Sequence, residues 1–349
     1  MTKGASWGVV IVNYNSARFT LDAALSVLGD DPTAKVVIVD NASPNNSLKI
    51  FDEAITLGVH AIQRPNNPIA DLDLKYADIS AIDGRIYDEK FAADHEDIPA
   101  LSIVKARKNR GFAAGCNIGL RFLRQFADCS HFLMLNPDAL VGGGALHAFE
   151  QTLRKPGAGL CGATVLLANK PGRVQAFGGA CLNPVTLMGE NIGGGEYLFS
   201  APDLADAEAK LTYPLGAAIA LTAEYLATIG YMDERYFLYY EEADWAFAGR
   251  KFGRTVWARE AYILHHYGVS SRSDFPAAGQ ASQRSPLSEY HMARSRVLFA
   301  LKWRPWLLPI VLLTGFGQVL TRLIRGRRAS ALALLRGVVP GAARQFRTN

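Results

Sequence analysis

The sequence predicts an α/β domain built on a doubly wound, mostly parallel sheet, and three apolar runs carry that prediction. Gly8–Val12 leads into Asn13-Tyr14-Asn15, Lys35–Val39 into Asp40-Asn41-Ala42-Ser43, and Phe132–Leu135 into Asn136-Pro137-Asp138. Unbroken apolar runs of this length read as strands buried on both faces. Open α/β sheets bind ligands beyond the carboxyl ends of their strands, so the three polar clusters are expected on one rim.

Helical spacing follows each early strand, over residues 18–28 and 46–57, with Ser43 or Asn45 available as a cap for the second helix. Strand then helix, repeated, implies parallel pairing. Residues 64–100 break the rhythm with Pro65, Pro68, Pro99 and nine acids from Asp71 to Asp97. They read as an inserted, solvated acidic excursion with a short hairpin around Asp83-Gly84. The sheet resumes at Leu101–Val104, and Lys108–Asn117 then opens a helix. Cys116, Leu120, Leu123 and Ala127 keep helical spacing there while Arg121 and Arg124 turn away. Gly111 and Gly115 are expected to let backbone approach a ligand at the helix start, where amide groups favour phosphate or a polar ring edge. The stretch has neither a G-x-G-x-x-G fingerprint nor a P-loop Lys-Ser/Thr.

Beyond Asp138, glycine-rich segments alternate with short apolar runs until Tyr236–Tyr240 leads into Glu241, Glu242 and Asp244. Three carboxylates within four residues repel one another. Either a protonated or metal-neighbouring carboxylate, or an acidic helix N-terminus, accounts for their closeness.

A hydrophobic fraction of 49% is ample for a buried core and excludes disorder throughout. The four cysteines include no C-x-x-C pair, which argues against a zinc knuckle or disulfide scaffold and fits small core residues in a reducing compartment. About five apolar residues precede Asn13, too few for a signal-peptide core, so the catalytic part is expected in the cytoplasm. The net charge of +5 hides a polarity along the chain. From Tyr290 onward there are eleven Lys/Arg and no Asp or Glu, whereas the first 289 residues carry 26 basic against 32 acidic.

Residues 305–321 are uncharged and mostly apolar, with Trp303, Arg304 and Trp306 at one end and Arg322, Arg325, Arg327 and Arg328 at the other. That arrangement favours a membrane surface over nucleic acid as the partner of the basic tail. A span needs about twenty apolar residues, and Pro305, Pro309, Gly315, Gly317 and Gln318 interrupt this run. A helix lying in or dipping into the cytoplasmic leaflet is therefore expected. A spanning helix, and one packed on the domain or on a second subunit of a homo-oligomer, are the alternatives.

In chain order, Val10–Ser16, Val39–Ser43, Asn109–Asn117, Asn136-Pro137-Asp138, Tyr239–Asp244 and His265–Ser270 resemble glycosyltransferase family 2, closest to its bacterial rhamnosyltransferase-like branch. The likeness covers residues 7–302 apart from the acidic excursion, and the ordered series is more specific than any one member. It implies a GT-A fold, a Rossmann-like sheet with flanking helices. It also implies a nucleotide-diphosphate sugar donor, a divalent cation, Mg²⁺ or Mn²⁺, and inversion at the anomeric carbon. Residues 1–300 are expected to form that domain, with 64–100 inserted, and residues 301–349 a membrane-associating region.

Matched position by position, Asp40 resembles the family's base- and ribose-contacting aspartate, with Asn13 and Asn15 lining the nucleoside site. Asn109, Gly111 and Asn117 fall where the glycine-rich turn borders the nucleotide. Asn136-Pro137-Asp138 takes the place of the D-x-D motif, with Asn136 departing from aspartate and Asp138 left as the ionised carboxylate. One carboxylate suffices for a cation if a diphosphate supplies further oxygens. Glu242 aligns with the catalytic aspartate and is the expected base, Asp244 being second; glutamate there is a departure. His265 matches the histidine that completes the metal site, with His266 pointing the other way. Arg294 and Arg296 match the family's basic pair and are expected near a phosphate, a helix end or lipid headgroups.

The reading that follows is transfer of a sugar, dTDP-L-rhamnose being the first donor and UDP-galactofuranose or a UDP-hexose the next. The expected acceptor is a lipid-linked saccharide at the cytoplasmic membrane face, within cell-surface polysaccharide synthesis. A sugar nucleotidyltransferase would need a glycine-rich, basic loop after the first strand, which Asn13–Ala17 does not supply. A processive synthase would show several long spans and a Q-x-x-R-W segment. A noncatalytic nucleotide-binding subunit of a membrane assembly is the reading from another class.

Overall fold

The computed structural model describes residues 6–62, 72–90, 97–266 and 285–339. Its first half alternates strand and helix: β1 Trp7–Asn13, α1 Ala17–Asp30, β2 Lys35–Asp40, α2 Ser47–Leu57, β3 Gly84–Asp88, β4 Leu101–Lys105, α3 Phe112–Phe126 and β5 His131–Leu135. Then come β6 Ala139–Val141, α4 Ala145–Leu153, β7 Ala158–Leu167, β8 Val174–Phe177, β9 Gly179–Leu182 and β10 Gly189–Asn191. These are followed by α5 Leu204–Lys210, β11 Tyr213–Pro214, β12 Ala218–Thr222, α6 Ala223–Ile229, α7 Glu241–Gly249 and β13 Arg254–His265. Three helices close the described chain: α8 Pro286–Trp303, α9 Leu308–Ile324 and α10 Arg328–Val338.

Among the described residues the main sheet runs β3-β4-β2-β1-β5-β12-β7-β13-β6, with β8 paired to β7. β3, β4, β2, β1 and β5 are mutually parallel. β12 lies antiparallel between β5 and β7, and β13 is parallel to β7, so β7 and β13 again run with β1. The carboxyl ends of β1, β2, β5 and β13 therefore share one rim, and β8, antiparallel to β7, begins there. The fold is α/β with a mostly parallel central sheet, as its apolar runs implied.

Every residue of β1 is buried. One sheet face, with Val9, Ile11, Val36 and Ile38, packs beneath α1, α2 and α4, and the other, with Val10, Val12, Val37 and Val39, packs beneath α3. Burying one such side chain contributes roughly 1.5–3 kcal/mol, more than the roughly 0.5–1.5 kcal/mol of one ladder hydrogen bond. The apolar pattern thus decides where these strands sit.

Three expectations change. Asp83-Gly84 starts no hairpin: β3 pairs in parallel with β4 as an edge strand, Ile86 opposite Ile103. That edge leaves only part of the excursion as loop; residues 63–71 and 91–96 lie outside the described residues. Gly115 faces no ligand, because a side chain there would meet Val12 at 2.6 Å, and Gly119 likewise meets Val10 at 2.4 Å. Both let α3 settle against β1. The expected boundary at 300/301 falls inside α8, whose Ser295 Oγ and Arg294 reach the carbonyls of Leu238 and Arg235.

Candidate active site

The rim begins with a hydrogen-bonded junction between the ends of β1 and β2. Asn13 stands opposite Asp40 in register, and its Nδ2 donates to Asp40 Oδ1 at 2.7 Å and to Ser43 Oγ at 3.1 Å. Asn13 Oδ1 accepts from Thr20 Oγ1 at 2.9 Å, and Asp40 Oδ2 from the Ser43 amide at 3.2 Å. Asn13 and Asp40 are fully buried, so they hold the rim's shape, while Asn15 is exposed on it. Asn15 and Ala42 take left-handed backbone conformations, φ +64° and +55°. Such conformations in residues other than glycine cost of order 1–3 kcal/mol and cluster at functional sites.

Asn109 and Gly111 shape the adjoining turn. Asn109 Oδ1 accepts from the Gly111 amide at 2.9 Å and from Asn41 Nδ2 at 3.0 Å. Gly111 has φ +95°, and a Cβ on it would stand 2.2 Å from the Phe237 carbonyl oxygen. Glycine is needed there because the turn docks on the 236–240 segment. Asn117 lies deeper, its amide bonded to the Met232 carbonyl and amide and to Glu234. It latches α3 to the chain before α7.

Asn136, Asp138 and His265 meet, although 127 residues separate the last two. His265 Nε2 lies 3.2 Å from Asp138 Oδ1 and 3.3 Å from Asn136 Nδ2. Asp138 and His265 are both buried. The Asp138 carbonyl accepts from the His266 amide at 2.8 Å, which joins the turn after β5 to the end of β13. His266 turns its ring instead toward Phe19, 5.5 Å between centroids. Sequence reasoning missed Gln175, whose Oε1 accepts from His265 Nδ1 at 2.7 Å. That bond fixes the ring so that Nε2 faces Asp138 and Asn136. A polar amide inside the apolar stretch Val174–Phe177 was the available signal.

The donor set suits a divalent cation in part. A carboxylate oxygen and an imidazole nitrogen whose ring is oriented through its other nitrogen are appropriate ligands. Among the described residues no group of three His, Cys, Asp or Glu comes together, so further oxygens must come from a bound ligand or water.

Glu241 and Glu242 open α7, preceded by Tyr239 and Tyr240, both with φ +68°. Two successive left-handed residues turn the chain sharply and aim both glutamates into the protein. No donor among the described residues reaches Oε2 of either. Burial raises the pKa of both carboxyls, and for Glu241 the neighbouring Glu242 charge adds to it. A side chain at Gly216 would stand 3.6 Å from Glu242 Oε1. The next residue, Ala217, accepts a hydrogen bond from the Asn136 amide at 3.0 Å. Glu242 and the Asn136–Asp138–His265 cluster therefore border the same short segment.

Asp244, expected as the second choice for the proton acceptor, is buried and already engaged by the protein. Its carboxylate receives Tyr236 Oη at 3.1 Å, Trp303 Nε1 at 2.7 Å and Lys302 Nζ at 2.8 Å. With these three donors it anchors the end of α8. Arg294 is spent on the Arg235 carbonyl, and buried Arg296 on the Val311 carbonyl. A shallow groove of about 430 Å³ lies between α2 and the β3–β4 edge, walled by Lys49, Asp52, Tyr87, Asp88 and Lys105 and by none of the cluster residues.

No protein-family model matches the chain, and no curated protein matches it in sequence. Solved structures do match. The mannosyltransferase PcManGT from Pyrobaculum calidifontis, in complex with GDP-Man and Mn²⁺, is 15% identical, with 96% of this chain and 86% of that one covered at a TM-score of 0.50. GalNAc-T7, with UDP, GalNAc and Mn²⁺, is 15% identical at a TM-score of 0.54, over 87% of this chain and 49% of that one, about half its length. Likeness at this identity is likeness of fold. The chain has the GT-A type of fold.

Proposed function

We propose that the chain is an inverting glycosyltransferase, carrying a sugar from a nucleotide-diphosphate sugar to a lipid-linked saccharide in cell-surface polysaccharide synthesis. By sequence resemblance to the rhamnosyltransferase-like branch of family 2, dTDP-L-rhamnose is the first donor to test. The proposed place of work is the cytoplasmic face of the plasma membrane. The observation that supports sugar transfer most strongly is the pairing of Glu242 with the Asn136–Asp138–His265 cluster across Gly216-Ala217.

In this reading Asn15 borders the nucleoside, with buried Asn13 and Asp40 shaping the rim beneath it, and the Asn109–Gly111 turn closes the same rim. Asp138 and His265 would hold Mg²⁺ or Mn²⁺ together with donor oxygens, Asn136 standing beside them. Bound there, the cation offsets the negative charge that develops on the departing nucleotide diphosphate. Glu242 takes the proton from the acceptor hydroxyl as that oxygen attacks the anomeric carbon. Its raised carboxyl, on a half-buried side chain, suits this task, because a base works best with a pKa near the working pH.

Thermal shift with dTDP-, UDP- and GDP-sugars, with and without Mn²⁺, followed by transfer assays on the best binder, tests the proposal. Metal-dependent stabilisation by one nucleotide sugar and turnover of it are expected. Equal stabilisation by nucleoside triphosphates, without sugar transfer, would point to nucleotidyl transfer instead.

A further inference from the structure

The carboxyl-terminal helices display two faces of opposite kind on α9. Leu313, Phe316, Leu320, Leu323 and Ile324 recur at helical spacing and are exposed, Leu313 by 72% and Ile324 by 77%. Gly317 extends the same face. Val311, Gly315 and Val319 recur on the opposite face and are buried against α8 and α10. A side chain at Gly315 would stand 2.7 Å from Val338 of α10 and 3.3 Å from Arg296 of α8.

The helix is also pinned at both ends to α8. Near its start, Arg296 donates to the Val311 carbonyl at 3.1 Å. Near its end, Arg322 makes a forked pair with buried Glu289, 3.0 and 3.2 Å to one oxygen. The pins lie eleven residues apart on α9, about 16 Å of helix. α8 is in turn fastened to the domain through Asp244, Leu238 and Arg235. A helix held along this length by a domain-bound neighbour is not free to leave it and cross a bilayer.

Residues 305–324 are nonetheless long and apolar enough to cross one by length and composition. The charge around the exposed stripe decides what covers it. Arg304 and Trp306 are exposed before the helix, with the guanidinium 5.8 Å from the ring centroid. Arg325 and Arg328 are exposed after it. An apolar stripe between arginines, with a tryptophan at one end, complements acyl chains beneath anionic headgroups.

We propose that α9 lies in the plane of an anionic lipid surface, inserting the Leu313–Phe316–Leu320–Leu323–Ile324 face while α8 and α10 carry the domain above it. This deepens the membrane location proposed above. The measurement uses neither nucleotide nor sugar, so its failure would leave the sugar-transfer reading intact.

The full chain is floated with vesicles of phosphatidylcholine alone and with 30 mol% phosphatidylglycerol added. Binding to the anionic vesicles, at least tenfold weaker to the neutral ones and reduced by salt, is expected. Phe316→Asp with Leu320→Asp, both exposed, should abolish it while circular dichroism and thermal transition stay unchanged. Spin labels on Leu313→Cys and Ile324→Cys, in a Cys181→Ser background, should report equal shallow depths. A depth difference near 16 Å, the rise between them, overturns the proposal in favour of a span. Vesicle binding unaffected by the two aspartates overturns it, as does a wild-type dimer that these aspartates dissociate and that binds no vesicle.

Discussion

Gln175 holds His265 by its Nδ1, 2.7 Å away, and so decides which imidazole nitrogen faces Asp138. Gln175 sits on β8, the antiparallel partner of β7, and His265 on β13, its parallel partner; they are ninety positions apart, and only the sheet brings them together. Gln175→Leu removes the acceptor and frees the ring. Apparent Mn²⁺ affinity should fall about 10–100-fold, read by calorimetry with the nucleotide sugar present. Unchanged affinity would show that Gln175 has no part in orienting the ring.

Glu242→Gln keeps the shape of the side chain and removes the proton acceptor. Transfer should drop about 10²–10⁴-fold, with the donor dissociation constant unchanged. The carboxyl must be ionised to act, and burial raises it to about 7. The wild-type kcat/KM should therefore climb with pH through that region and fade below it. A flat profile from acid to alkaline conditions would move the role elsewhere.

Glu241 is buried beside Glu242, and its pKa is raised by burial and by that neighbour's charge. Unfolded, it ionises at the ordinary carboxylate value; folded, it keeps its proton to higher pH. The native state binds more protons across that window, so stability falls as pH rises through it. Glu241→Gln removes this loss. Denaturation at pH 8 should show a gain of about 1–3 kcal/mol, the span for a buried polar group without a partner, and little change at pH 4.

Asp244→Ala strips three donors of their acceptor at the α7–α8 contact. Lys302 keeps Asp233 at 2.9 Å, but Tyr236 Oη and Trp303 Nε1 lose the acceptor they have here, which should cost about 1–3 kcal/mol, measured by urea unfolding. Asp244→Asn should cost less, because an amide oxygen still accepts. If Asp244→Ala unfolds like wild type yet loses transfer, the residue belongs to the chemistry and not to the anchor.

Gly111→Ala tests the turn. With φ +95° and the Phe237 carbonyl where the methyl would go, the chain must move. A loss of about 1–3 kcal/mol is expected from the backbone conformation alone, together with weaker donor binding as the neighbouring Asn109 shifts. Wild-type melting and donor affinity would argue against this docking.

Much of the fold was legible because strand burial writes itself locally. Val9 to Val12, Val36 to Val39 and Leu133 to Leu135 are apolar on every residue, as strands covered on both faces must be. β3 was less legible: Gly84–Asp88 is an edge strand with exposed Arg85 and Ile86, and its pattern resembles a loop. Gly111 and Gly115 stood out, yet their partners, Phe237 and Val12, lie far along the chain, so the need each meets was invisible. Lys302 and Trp303 look like membrane-proximal residues by composition, but both bond to Asp244.

By itself the sequence determined the strands, their polar ends and the apolar run of α9 between arginines, because these follow from the order of apolar and polar residues within one element. Only the tertiary structure decided that Gln175 meets His265, that Asp244 receives Tyr236, Lys302 and Trp303, and that Glu242 and Asn136 border the same Gly216-Ala217 segment. Those relationships join residues far apart in the chain, and a hydrogen bond depends on where packing places its two ends.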